Sequence, residues 1–269
     1  WERGEEPPFA LVEFWMGHFG GEETVLIAAD YSQIELRVLA HEGSVKGMID
    51  AFLAGKDLHR ETAALMFDKP VGQIDAHGDE RDVAKRINFG IAYGVQAQGL
   101  HTQLDQENPG RWTVKDCENW LRMYAGIYPE IPAYTQNMAA HARRYGYVKD
   151  MFGRQRLIPE VRSPRASKRS EGERFCGNMP VQAGAQSIMK AAMRDINRRR
   201  ENGDWLLLQG LPLLQVHDAL YFEVRRSVAP EYAQYVQIIM ENQVQLVVPT
   251  PVDVKMGPRL GELAESLED

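Results

Sequence analysis

Two apolar runs that each end in an aspartate constrain this chain more than anything else in it. Val25-Leu26-Ile27-Ala28-Ala29 leads into Asp30, and Leu213-Leu214-Gln215-Val216-His217 leads into Asp218. Short apolar runs of this kind read as buried strands. Strands that finish on a carboxylate can bring acids from opposite ends of a chain to one edge of a sheet. Two such carboxylates are hard oxygen ligands, suited to divalent cations that clamp an in-line displacement at phosphorus. A single Asp at a strand end is more simply a cap or turn former. The recurrence, with Tyr31 and His217 beside the two acids, is what points to a site.

Between the two runs the pattern is mostly helical. Apolar residues recur at helical spacing within 48–53, 58–67, 81–93, 114–127 and 133–145, and prolines and glycines punctuate these segments. Residues 171–200 predict a long helix with a break or kink at Pro180. Strands are expected at 24–30, 205–216 and 220–224, the last two flanking a tight turn at His217-Asp218-Ala219, with a helix at about 229–246 and a final strand near 247–255. Strands at both ends of the chain with helices between them give an α+β fold. A small antiparallel sheet would carry the acids, and a helical subdomain would be inserted into it.

The helix around 81–94 carries the next candidates. Arg81, Lys85, Phe89 and Tyr93 recur every fourth residue, so they drift only about 40° per step and share one broad face. Two cations one turn apart can span adjacent phosphates, and aromatics further along can meet a sugar or base. The plain alternative is an amphipathic helix whose cations pair with Glu80 and Asp82. Gly90 and Gly94 are costly in a helix and predict close approach of another group. Glu35 and His59 are weaker candidates, Glu35 alone being more simply a solvated helix charge and His59 similarly weak. Asn178 and Gln182 straddle a proline and could read minor-groove acceptors, though turn formation explains Asn178 equally well.

Composition excludes little. The 269 residues have the apolar and charged fractions of an ordinary globular protein. No run approaches the roughly 18 apolar residues of a membrane span. Cys117 and Cys176 stand alone without metal-site spacing, which favours reduced thiols and a cytoplasmic compartment. The chain opens on Trp1 without a charged-then-apolar leader, which reads as an excised or processed product. A net charge of −7 argues against nucleic acid, but residues 143–174 hold ten basic side chains against four acidic ones. Phosphate contacts need only such a local stripe.

Taken together, these motifs resemble family A DNA polymerases, the bacterial and phage polymerase I type. Asp30-Tyr31-Ser32-Gln33-Ile34-Glu35-Leu36-Arg37 is similar to the first catalytic motif of that family, Arg81…Lys85…Phe89-Gly90…Tyr93-Gly94 to the second, and Gln215-Val216-His217-Asp218 to the third. Asp57-Leu58-His59, the segment from Tyr147 to Pro159 and Asn178-Met179-Pro180-Val181-Gln182 fit the intervening segments in order.

The resemblance implies a two-metal nucleotidyl transfer in which Asp30 and Asp218 bind two Mg2+ ions, assisted by the Tyr31 carbonyl. It implies that Gln33, Glu35, His59, Arg81, Lys85, Phe89 and Tyr93 meet the incoming deoxynucleoside triphosphate and template base. Lys85 would also protonate the departing pyrophosphate, and Glu35 would exclude ribonucleotides. Arg174, Asn178, Gln182, Gln215 and His217 would contact primer-template DNA. The architecture would be a palm (1–42 and 160–269) with helical fingers (43–159), the thumb and exonuclease being absent and the thumb supplied by a separate chain or missing segment. One departure is Ala219, where the family usually has Glu, so reduced or retuned activity is expected rather than none. The competing readings are a single-subunit RNA polymerase, which Glu35 argues against, and a non-catalytic DNA-binding module, which retention of the acids and cations argues against.

Overall fold

The computed structural model describes residues 23–264. Expectations for residues 1–22 and 265–269, including the first part of the proposed palm, lie outside the described residues. Contacts divide the chain into two compact units. One takes the chain up to Ser32, Ile188–Val244 and the chain from Thr250 on; the other takes Gln33–Ser187 and Gln245–Pro249. Positions 33–42 and 160–187 therefore fall in the second unit.

The first unit is built on a four-stranded antiparallel sheet. Its strands are β1 (Thr24–Tyr31), β4 (Gly210–Val216), β5 (Ala219–Arg225) and β6 (Val252–Gly257), in the order β4-β5-β1-β6. The central β1 is buried continuously from Val25 to Ala29, as a strand covered on both faces should be. Helix α9 (Ala229–Glu241) packs on the sheet, with Tyr232 set edge-on against Phe222 at 5.6 Å between ring centroids. In register, Asp30 stands opposite Ala219 on β5 and opposite Asp253 on β6. Directly opposed residues share a face of the sheet.

The expectation of a second buried run, Leu213 to His217, is corrected: β4 is an edge strand, and Gln215, Val216 and His217 are exposed. An edge strand has a neighbour on one side only, which is also why it tolerates Pro212 beside the register shift between Pro212 and Leu214. The strand also starts later than 205, because Leu207–Gln209 forms a 3-10 turn first. At Gly210 a side chain would meet the Tyr232 ring at 2.6 Å.

The second unit is helical. It holds α1 (Ile34–Glu42), α2 (Lys46–Leu53), α3 (Leu58–Met66), α4 (Asp79–Ala92), α5 (Ala97–Glu107), α6 (Val114–Ile127) and α7 (Glu130–Tyr145). A hairpin of β2 (Tyr147–Lys149) and β3 (Gln155–Leu157) follows, then the first part of α8 (Ala166–Glu201). The caps are local and legible. Asp57 accepts from the His59 and Arg60 amides at the start of α3, and Thr113 with Asp116 forms a capping box on α6. Asp150, 2 % exposed, closes the hairpin by accepting from the Phe152 and Arg154 amides and from Ser187 Oγ. The break expected at Pro180 is absent. The helix runs through it, with Met179 and Val181 buried on either side, although proline contributes no N–H. Cys117 and Cys176 are both buried and unbridged.

Candidate active site

The carboxylates in the sheet unit are brought together by a two-residue turn. His217 adopts φ +53, the left-handed region that such a tight turn requires, and places Asp218 between β4 and β5. The Tyr31 amide donates to the Asp218 carbonyl at 3.1 Å, tying the turn to the end of β1. Gln215 Nε2 donates to the His217 carbonyl from the other side. The Tyr31 ring is buried and its hydroxyl donates to the Met240 carbonyl at 2.6 Å, so only the backbone of Tyr31 remains to serve a ligand.

The Asp30 carboxyl is pushed up to about 6, first by partial desolvation at the sheet and then by the charges of Asp218 and Asp253. A hydrogen bond between Asp30 and Asp218 acts in the same direction, and Lys255 opposes it. Burial and the same two acids, Asp30 and Asp218, also raise the Tyr221 phenol. Asp253, Lys255 and Tyr221 are neighbours that the sequence reading missed. Alternation in Val252-Asp253-Val254-Lys255 marks a strand, but nothing in the chain order says that it pairs with β1.

Among the described residues no group of three or more His, Cys, Asp or Glu side chains could hold a metal ion. Two carboxylates that repel one another are nonetheless a fitting donor set for Mg2+, which is commonly held by one or two carboxylates with water and phosphate oxygens.

In the helical unit, Arg81, Lys85 and Phe89 lie on the more exposed face of α4, while Val83, Ala84, Ile87 and Asn88 are buried. Tyr93 is the residue capping the helix rather than a member of it. Arg81 does not pair with Glu80 or Asp82: its Nε donates to Asp57 Oδ2 at 2.8 Å. Burial alone would raise the Asp57 carboxyl, but the bonds from Arg81 and the Arg60 amide outweigh it and hold the group below its ordinary range. Lys85 is exposed, and its charge acts on His59.

His59 is 3 % exposed and tilts against the Phe89 ring at 5.3 Å. Burial lowers it to about 4, with Arg81 and Lys85 adding to the effect against Asp57. Glu35 accepts a 2.7 Å hydrogen bond from the Tyr93 hydroxyl. Gln33, two residues earlier, has φ +54 and an Oε1 atom that is buried without a hydrogen bond.

The close approach expected at the glycines is present. A side chain at Gly90 would meet Val95 at 2.7 Å, and one at Gly94 would meet the Asn178 amide at 2.4 Å. Gln182 Nε2 also donates to the Ala92 carbonyl, so both amides of α8 touch the end of α4. Arg174 lies a turn earlier on α8, and its Nη1 donates to Ser170 Oγ. Much of the basic segment lies on the surface of this unit, partly neutralised by the pairs Arg143–Glu173 and Lys168–Glu171. No helix among the described residues is long and apolar enough to cross a membrane.

Comparison with known proteins shows the family of the chain. The profile of DNA polymerase family A matches residues 18–262. DNA polymerase I of Pseudomonas aeruginosa is 38 % identical over 240 residues, covering 88 % of this chain and 25 % of that protein. The thermostable DNA polymerase I of Thermus filiformis is 39 % identical over 236 residues, covering 88 % of this chain and 27 % of that protein. The chain thus spans about a quarter of the length of these relatives. A solved structure, the POL domain of Pol1 from M. smegmatis in complex with DNA primer-template and dNTP, superposes with a TM-score of 0.76 at 32 % identity, covering 89 % of this chain and 40 % of that one. On this match across nearly its whole length, the chain belongs to DNA polymerase family A.

Proposed function

We propose that this chain carries out template-directed addition of deoxynucleotides to a primer 3′ end, in the 5′→3′ direction. The observation that carries the reading is the pairing of Asp30 and Asp218, acids far apart in the chain, with burial first and then the charge of Asp218 lifting Asp30 to about 6. Family membership supplies the reaction class. In this reading the sheet unit acts as palm, the helical unit contains the fingers, and a thumb comes from another segment or chain.

Asp30 and Asp218, with the Tyr31 carbonyl, would hold two Mg2+ ions. When bound, the ions supply charge neutralisation at phosphorus and favour ionisation of the primer hydroxyl. The primer 3′ oxygen attacks the α-phosphorus, the bond to the bridging oxygen breaks, and pyrophosphate leaves. Lys85 gives the leaving group a proton from Nζ, and Arg81, Lys85 and His59 grip the triphosphate. Phe89 stacks on the sugar and base, Tyr93 lies at the template base, and Gln33 and Glu35 border the sugar, with Glu35 crowding the 2′ position. Arg174, Asn178, Gln182, Gln215 and His217 contact the primer-template duplex.

Primer extension by the chain with Mg2+ and each class of nucleotide tests this. Extension with deoxynucleotides supports the proposal. A preference for ribonucleotides would favour an RNA polymerase, and duplex binding without extension would favour a non-catalytic module.

A further inference from the structure

Asn88 lies on the buried face of α4, away from the cations, and the chemistry above makes no use of it. It is fully buried, and its amide is committed at both ends. The Tyr124 hydroxyl donates to Asn88 Oδ1 at 3.0 Å. Asn88 Nδ2 lies 3.0 Å from His59 Nδ1 and 3.2 Å from Thr62 Oγ1.

Counting protons fixes which end of the amide is which. Thr62 gives its one hydroxyl proton to the Leu58 carbonyl at 2.8 Å, so towards its other neighbours it accepts. Those neighbours are the Tyr128 hydroxyl at 2.9 Å and Asn88. Both amide atoms lie within reach of Thr62 Oγ1, Nδ2 at 3.2 Å and Oδ1 at 3.4 Å, so the Tyr124 hydroxyl decides between the two orientations. With the amide reversed, the Tyr124 proton would lose its acceptor inside a buried site. Such an orphaned group is costly.

The Nδ2 group thus donates to His59 Nδ1, which must carry a lone pair. Burial keeps the ring neutral near pH 7, so its one proton is on Nε2. Nε2 has no hydrogen-bond partner among the described residues, and it is not among the buried atoms left without one.

We propose that Asn88 is a positioning residue: it holds His59 in the tautomer with the proton on Nε2, so that this histidine presents one directed N–H to a phosphate oxygen of the incoming nucleotide. The proposal rests on the nucleotide role given to His59. It divides the work on the triphosphate between the charged groups Arg81 and Lys85 and a single oriented donor on a rigid, buried mount.

Long-range 1H–15N spectra of the imidazoles in the full chain at pH 7 test the tautomer directly. The Nε2–H form of His59 is expected; an Nδ1–H or doubly protonated ring would overturn the proposal. Asn88→Leu should weaken deoxynucleotide binding to the complex with primer-template roughly tenfold, the scale of one lost bond to a charged group. The same substitution placed on His59→Ala should add little, because residues acting through one another are not additive. An undiminished additional loss would mean that Asn88 only supports the fold.

Tyr124→Phe keeps the ring and removes only the anchoring hydroxyl, which guards against Asn88→Leu failing to fold. It should mix the His59 tautomers, and an unmixed Nε2–H signal would count against the network. Unaltered nucleotide affinity in His59→Ala would refute the phosphate role and so the purpose assigned to Asn88, while leaving the tautomer result standing.

Discussion

The two units treat charge in opposite ways. In the sheet unit, burial first and then the charges of Asp218 and Asp253 raise Asp30 to about 6, and Lys255 opposes them. In the helical unit, Arg81 is already paired with Asp57 at 2.8 Å, and His59 is kept neutral by burial. A cation bound between the acids would relieve the repulsion that Lys255 only partly offsets. A pre-paired cation and a neutral donor need no such relief; their geometry is set in advance. Substitutions at the carboxylates should therefore cost chemistry and spare stability, whereas those around α3 and α4 should cost affinity and stability together.

The largest effect should come from Asp30→Ala or Asp218→Ala. Removing electrostatic stabilisation at the reacting centre typically costs on the order of a hundredfold or more in rate. Single-turnover extension should show at least that loss. Thermal melting of the metal-free protein should be unchanged or improved, because a like-charge contact has gone. A variant that instead loses its fold would show the carboxylates to be structural, and the contrast between the units would fail.

Next in size is a pH dependence that belongs to the helical unit. His59 titrates near 4 when folded and near its ordinary 6.5 when unfolded. The folded state therefore binds fewer protons in that window. The stability linked to His59 is fully present above about 6.5 and is lost as pH falls towards 4. The shift corresponds to a contribution on the order of 3 kcal/mol. Denaturant midpoints measured across this window for the unsubstituted chain and for His59→Gln should converge as pH falls. Parallel curves would show that His59 is not held neutral.

A smaller change is expected at Asp57, which caps α3 and orients Arg81. Asp57→Ala should lower stability by about 1 kcal/mol through loss of the cap. Freeing the Arg81 guanidinium should also weaken nucleotide binding severalfold. Unchanged affinity with lowered stability would leave Asp57 as a cap alone.

What was legible in the sequence followed from local rules. The central strand announced itself by five consecutive apolar residues, and α3, α4 and α6 by helical spacing. Where the rules were read too simply, burial was wrong. The run before Asp218 is apolar, yet β4 lies at an edge, a matter of pairing that chain order does not record. Helix α5 offered only Leu100 and Leu104 as buried apolar residues, too few to mark a face. The partners of the site residues were the least legible. Asp253 reaches Asp30 through cross-strand register, Asp57 takes Arg81 from a neighbouring helix, and Asn88 reads in sequence as one more polar residue of α4. Each of these depends on non-local packing, and spacing along the chain carries no signal for it.

The smallest effect should arise at the contact between Tyr93 and Glu35. The Tyr93 hydroxyl donates to Glu35 Oε1 at 2.7 Å, a charge-assisted bond in a solvent-facing position. If Glu35 rejects ribonucleotides by occupying the space a 2′ hydroxyl needs, its carboxylate has to be kept there, and Tyr93 supplies one restraint. Glu35→Ala removes the obstacle and should raise the ratio of ribonucleotide to deoxynucleotide kcat/KM most. Tyr93→Phe keeps the ring and loosens the obstacle without removing it. A net hydrogen bond of about 1 kcal/mol corresponds to roughly a fivefold change in that ratio at most. In the Glu35→Ala background the Tyr93→Phe substitution should change the ratio no further, because its partner has already gone. Competition between the two nucleotide classes in single-turnover extension measures all three variants. A Tyr93→Phe effect that persists without Glu35 would show that the hydroxyl acts on the template or the base instead of through Glu35.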